Sequence, residues 1–161
     1  MVVGILGLTM ASGFSGCQSE NQKNQDAYRK IGINSMAEGD YDKAVKSFQK
    51  ALDTSLGKIG AEEIDICYYK AAAQFAKKDY DGAIETYTSL IDYDKENANA
   101  YYLRGSVYLD TDKKDKAFKD YKNAVKYAGR EYEIYEGIYE NLTNKGETEE
   151  AKNYLKKALD I

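Results

Sequence analysis

Cysteine thiols and clustered carboxylates are the side chains here with the widest chemical reach, and few of them stand in a suggestive setting. The chain has two cysteines, Cys17 and Cys67. A thiolate can be acylated, oxidised or bound to a metal. Two cysteines are too few for a disulfide framework, and these two lie in segments of different character. Glu133, Glu136 and Glu140 recur at offsets of three and four, so on a helix they form one acidic stripe. A calcium ion wants six or more oxygens converging from a loop, so the stripe reads as a solvated face or as an acidic patch for a basic partner segment. Histidine is absent, and with it the commonest general base and metal ligand. No glycine-rich phosphate loop and no nucleophile with a visible base occur. No enzyme, cofactor or metal site is therefore expected. A formal net charge of -4 leaves no basic field to neutralise phosphates, which argues against nucleic acid.

The setting of Cys17 is a leader. From Val2 to Gly16 the chain is uncharged and reads VVGILGLTMASGFSG. That is the length of a signal-peptide core and short of the roughly 20 residues of a membrane span. Small residues, Ser15 and Gly16, precede the cysteine, and the polar stretch QSENQKNQD follows it. This arrangement resembles the lipobox of bacterial lipoproteins; an ordinary cleaved signal or a buried N-terminal helix would share the apolar run. The resemblance implies that residues 1–16 are a signal peptide and that Cys17 is diacylated and becomes the new N-terminus. Residues 17–25 would then be the lipidated cysteine and a polar linker. The rest of the chain would lie outside the cytoplasm, anchored to a bacterial membrane, since two or three acyl chains hold stably at about 0.8 kcal/mol per buried methylene.

What remains, residues 26–161, must be built from elements that repeat. GDYDKAVKSFQKAL (Gly39 to Leu52) and KDYDGAIETYTSLI (Lys78 to Ile91) are nearly superimposable. Ala44 and Ala83 are equivalent in them; Ala117 and Ala151 then follow at intervals of 34 residues, whereas Ala44 to Ala83 spans 39. Five extra residues thus enter within SLGKIGAEE (Ser55 to Glu63), as a loop. Each marker alanine is followed by a larger side chain four on and a small or apolar one three beyond. The sets are Ala44, Phe48, Ala51; Ala83, Tyr87, Leu90; Ala117, Tyr121, Ala124; and Ala151, Leu155, Ala158. Those offsets share one helix face and form a packing code. Twelve residues before each marker stand Gly32, Ala71, Gly105 and Tyr139, and four before those Tyr28, Cys67, Tyr101 and Tyr135. This pattern and its 34-residue period resemble the tetratricopeptide repeat family. An all-α, right-handed α-solenoid of about four helix-turn-helix repeats is expected. First helices fall near 25–38, 62–77, 97–110 and 131–144, and second helices near 41–54, 80–93, 114–127 and 148–160. Cys67 reads as a small buried hydrophobe rather than a reactive thiol.

By the same resemblance, the first helices line a concave groove. Its positions are Asp26, Arg29, Ile33 and Met36; Asp65, Tyr68, Ala72 and Phe75; Asn99, Tyr102, Ser106 and Leu109; and Glu133, Glu136, Glu140 and Thr143. The middle of this groove is aromatic and apolar, its C-terminal end acidic. Tyr68 and Tyr102 hold the same position in successive repeats, where they either suit repeat packing or offer flat contact area to a peptide. The carboxylate clamp that some family members use does not carry over, since only Arg29 among the matching positions is basic. The expected function is a protein-protein interaction module or scaffold, binding a polypeptide segment in the groove. The alternative is an assembly factor within a multi-protein cell-envelope complex. Tyr154, Leu159 and Ile161 on the last helix are left without a neighbour, so self-association through the C-terminal repeat is a further expectation.

Overall fold

The computed structural model describes residues 20–55, 57 and 59–160, and Cys17 with its leader lies outside them. The described residues form eight α-helices and no strand: α1 Glu20–Ala37, α2 Tyr41–Asp53, α3 Ala61–Ala76, α4 Tyr80–Tyr93, α5 Ala98–Asp110, α6 Lys114–Ala128, α7 Tyr132–Asn144 and α8 Thr148–Leu159. None of them is long and apolar enough to cross a membrane. The chain is an all-α solenoid of four antiparallel hairpins.

One turn chemistry closes every hairpin. The amides of Asp40, Asp79, Lys113 and Glu147 each donate to the carbonyl five residues back, at 2.8–2.9 Å, and the residue before each donates three back. This is the Schellman closure, and it needs a left-handed residue just past the helix. Gly39 (φ 76°) and Gly146 (φ 78°) supply it in the outer hairpins, but Lys78 (φ 67°) and Asp112 (φ 57°) supply it in the inner two. The next helix then starts at once. The Asp40 carboxylate accepts from the Lys43 amide at 3.0 Å and that of Asp79 from the Gly82 amide at 3.2 Å, as N-caps do.

The marker residues form the core. Ala44, Phe48, Ala51, Ala83, Tyr87, Leu90, Ala117, Tyr121, Ala124, Ala151 and Ala158 are all buried. A Cβ added at Gly32 would lie 2.6 Å from the Phe48 ring, and one at Gly105 would lie 2.8 Å from the Tyr121 ring. The small first-helix site and the large second-helix site are thus two halves of one contact. Leu155, at the large site of the last hairpin, is only half-buried.

Packing runs between chain neighbours, and first helices also touch each other, α1 with α3 and α5 with α7. One boundary differs from the sequence expectation. Residues 20–25, expected within the linker, are the first turns of α1. Gln22 donates to Glu62 at 2.5 Å and Gln25 to Glu63 at 2.7 Å, so the added turns dock on the start of α3.

Candidate functional site

The first helices place the expected groove positions in a row, and much of that row is engaged between repeats. Arg29 on α1 donates through both Nε (2.9 Å) and Nη2 to Asp65 on α3, with its guanidinium 5.3 Å from the Tyr69 ring centre. Tyr68 on α3 donates its hydroxyl to the Asn97 side chain at 2.6 Å, and its ring leans on buried Tyr87 at 6.3 Å. Tyr102 on α5 leans in the same way on buried Tyr121, at 6.4 Å. Its hydroxyl reaches α7 where only a glycine leaves room: a Cβ on Gly137 would lie 2.3 Å from it. Ser106 accepts from Asn141 Nδ2 at 2.7 Å and donates to the Tyr102 carbonyl at 2.9 Å.

Burial raises the pKa of these phenols. It acts on Tyr68 against the hydrogen bond to Asn97 and on Tyr102 against one with Asn141. The deeper Tyr121 is pushed up to about 12 for the same reason. All three stay neutral at physiological pH. They act as hydrogen-bonding apolar plates rather than as acids or bases.

What the row leaves open is uneven. Ile33, Met36, Tyr68, Ala72, Phe75, Tyr102 and Ser106 are part-exposed, while Glu133, Glu136, Glu140 and Thr143 at the far end are exposed. Phe75 packs edge-on against Tyr80 at 5.7 Å. Leu109 corrects the expectation. It is buried in one cluster with Tyr121, Ile138 and Leu142, because α5 packs on α7, and it offers no groove surface. Cys67 is half-buried, and desolvation raises its thiol pKa, which keeps it protonated and sluggish as a nucleophile. Among the described residues no three acidic, cysteine or histidine side chains converge as a metal site.

Three engaged groups escaped the sequence reading. Asn141 carries no expectation from the sequence, yet its bond to Ser106 ties α7 to α5. Gly137 is a mid-helix glycine, the one available signal that something approaches closely there. Arg104 on α5 donates to both carboxylate oxygens of Asp120 on α6, at 2.7 and 2.9 Å. Asp120 sits three after its marker alanine, as do Ser47 and Thr86, and all three are buried.

Comparison with known proteins follows the same register. A family model described as tetratricopeptide repeat matches residues 26–56, 98–130 and 140–161, and one described as TPR repeat matches 71–112. A crystal structure of MamA is 26% identical, with a TM-score of 0.65, covering 85% of this chain and 77% of that one. MamA from Desulfovibrio magneticus RS-1 is 23% identical, with a TM-score of 0.66 and coverages of 86% and 76%. The TPR domain of Arabidopsis OM64 is 18% identical, with a TM-score of 0.50 and coverages of 87% and 98%. No curated protein matches the sequence.

Proposed function

Because the chain belongs to the tetratricopeptide repeat family, a fold of protein-interaction scaffolds, we propose that it is a lipid-anchored module outside the cytoplasm that holds a polypeptide segment along its first helices. The observation that carries this reading is the graded row just described. Part-exposed Ile33, Tyr68, Ala72, Phe75 and Tyr102 lead to exposed Glu133, Glu136 and Glu140. A segment with apolar or aromatic anchors followed by lysines or arginines complements that order, since rings supply contact area at low entropic cost and the carboxylates set direction. The anchor rests on the Phe14-Ser15-Gly16-Cys17 sequence.

A photo-crosslinking residue at position 68 of the full chain, expressed in cells, tests the groove. It should capture a discrete polypeptide, and Tyr102→Ala should reduce that capture while a crosslinker at exposed Lys46 captures none of it. Capture unchanged by Tyr102→Ala, or no capture at all, overturns the groove. Stoichiometric recovery of several envelope proteins would make the molecule an assembly factor. The anchor is tested separately: Cys17→Ser should abolish acylation and release the leader-cleaved chain from membranes, and a cleaved chain that stays bound overturns it.

A further inference from the structure

The four repeats differ at one ring position, and the difference opens a cleft. Tyr28, Cys67, Tyr101 and Tyr135 are equivalent. Tyr101 on α5 stacks on Tyr127 at the end of α6, with ring centres 5.9 Å apart and planes 20° apart. The residues 34 positions earlier are Cys67 and Tyr93. A thiol reaches less far than a phenol, so Tyr93 has no ring to stack on from that position and is 55% exposed. The space is an apolar cavity of about 260 Å³, lined by Leu52, Ile59, Ile64, Cys67, Leu90 and Tyr93 among others. The five-residue insertion between α2 and α3 supplies Ile59, 57% exposed at its mouth. An apolar cavity of about 150 Å³ already holds a benzene-sized guest, so a branched aliphatic side chain fits. Acidic groups stand at the rim: Glu63 lines the cavity and Asp53 is exposed at the end of α2, while Asp92 at the end of α4 is paired with Lys95 at 2.6 Å.

The complementary feature is on the same molecule. Leu159, at the end of α8, is 75% exposed, more than any other large hydrophobic among the described residues. Lys156 lies three positions before it, on the same stripe of the helix and exposed, and Lys152, seven before it, is exposed and paired with Glu149 at 2.8 Å. We propose that the cleft takes Leu159 of a second copy of this chain, with Lys156 of that copy meeting Glu63 and Asp53 at the rim. The proposal rests on the reading that the array binds polypeptide, and it names one such partner. The cleft is lined by residues at the ends of α2 and α4 and Leu159 ends α8, so each copy carries both halves of the contact. Two copies related by a two-fold axis can therefore plug each other reciprocally, the commonest symmetry of soluble oligomers.

Two differently tagged full-length copies, co-expressed and solubilised in mild detergent, test it. Wild-type copies should co-purify. Leu159→Lys in both, or Ile59→Asp in both, should reduce recovery by roughly tenfold or more, since each buried leucine is worth one to two decades of affinity. Mixing one copy of each variant should restore pairing in part, because one intact tail then meets one intact cleft. Cys67→Tyr, which fills the cavity, should abolish pairing as well. Wild-type copies that do not co-purify, pairing that survives Leu159→Lys, or a mixture that restores nothing would each overturn the proposal. Tyr102→Ala should leave pairing intact while reducing capture by the crosslinker at position 68, so the groove and the cleft fail independently.

Discussion

Arg104 is held by several partners at once. Besides its two bonds to Asp120 it donates through Nη1 to Thr88 at 3.0 Å, and its guanidinium lies 5.7 and 5.9 Å from the ring centres of Tyr101 and Tyr108. The pair is well shielded, with side-chain exposures of 15% for Arg104 and 4% for Asp120. Burial is the largest single influence on the guanidinium and lowers its pKa, but the hydrogen bond and the charge of Asp120, with smaller contributions from Tyr108 and Tyr101, together outweigh it and the net shift is upward. Arg104→Ala would leave the Asp120 carboxylate buried without its cation, and is expected to cost about 3–5 kcal/mol in urea unfolding. Arg104→Met with Asp120→Leu should recover most of that loss, because replacing both charges removes the orphan. A double variant no better than the single one would show that hydrogen bonding rather than charge compensation holds α5 to α6. Sequence alone could mark the column Ser47, Thr86, Asp120 as lying on the packed face. It could not supply Arg104 as the partner, since that pairing depends on how two helices cross and not on a spacing within either.

At the scale of elements, the marker alanines placed every second helix with its first residue where the structure has it, at Tyr41, Tyr80, Lys114 and Thr148. They succeed because the turn and cap that precede each helix are local. The start of α1 was not legible for the opposite reason: Gln22 and Gln25 hold it by bonds to residues 40 and 38 positions away. Likewise the row of groove positions could be counted off, but which members are consumed between repeats could not, as Leu109 shows. The four identical closures allow an internal comparison. Lys78 carries a Cβ in the left-handed region that Gly39 and Gly146 occupy freely. Such strain costs on the order of 1 kcal/mol, partly offset by the greater freedom a glycine gives the unfolded chain. Lys78→Gly should therefore raise the denaturation midpoint slightly, while Gly39→Ala should lower it; a Lys78→Gly variant as unstable as Gly39→Ala would mean that the Lys78 side chain itself holds the turn.

For the molecule as a whole, the governing fact is that every helix packs on helices adjacent or next-adjacent in the chain. Stability in such an array is close to a sum of units and the interfaces between them, and the last described hairpin, with Leu155 half-buried and Leu159 in solvent, offers the surface proposed to pair. The same neighbour-only packing sets a clock. No step of folding has to bring distant stretches of chain together, and helical arrays of that kind fold in microseconds to milliseconds. The chain also contains no proline, so the unfolded ensemble holds none of the peptide-bond isomers that impose waits of tens of seconds. Stopped-flow refolding from urea should recover the full helical signal without any phase slower than about a second. Such a phase would point to copies pairing before they are folded, and dilution would lengthen it.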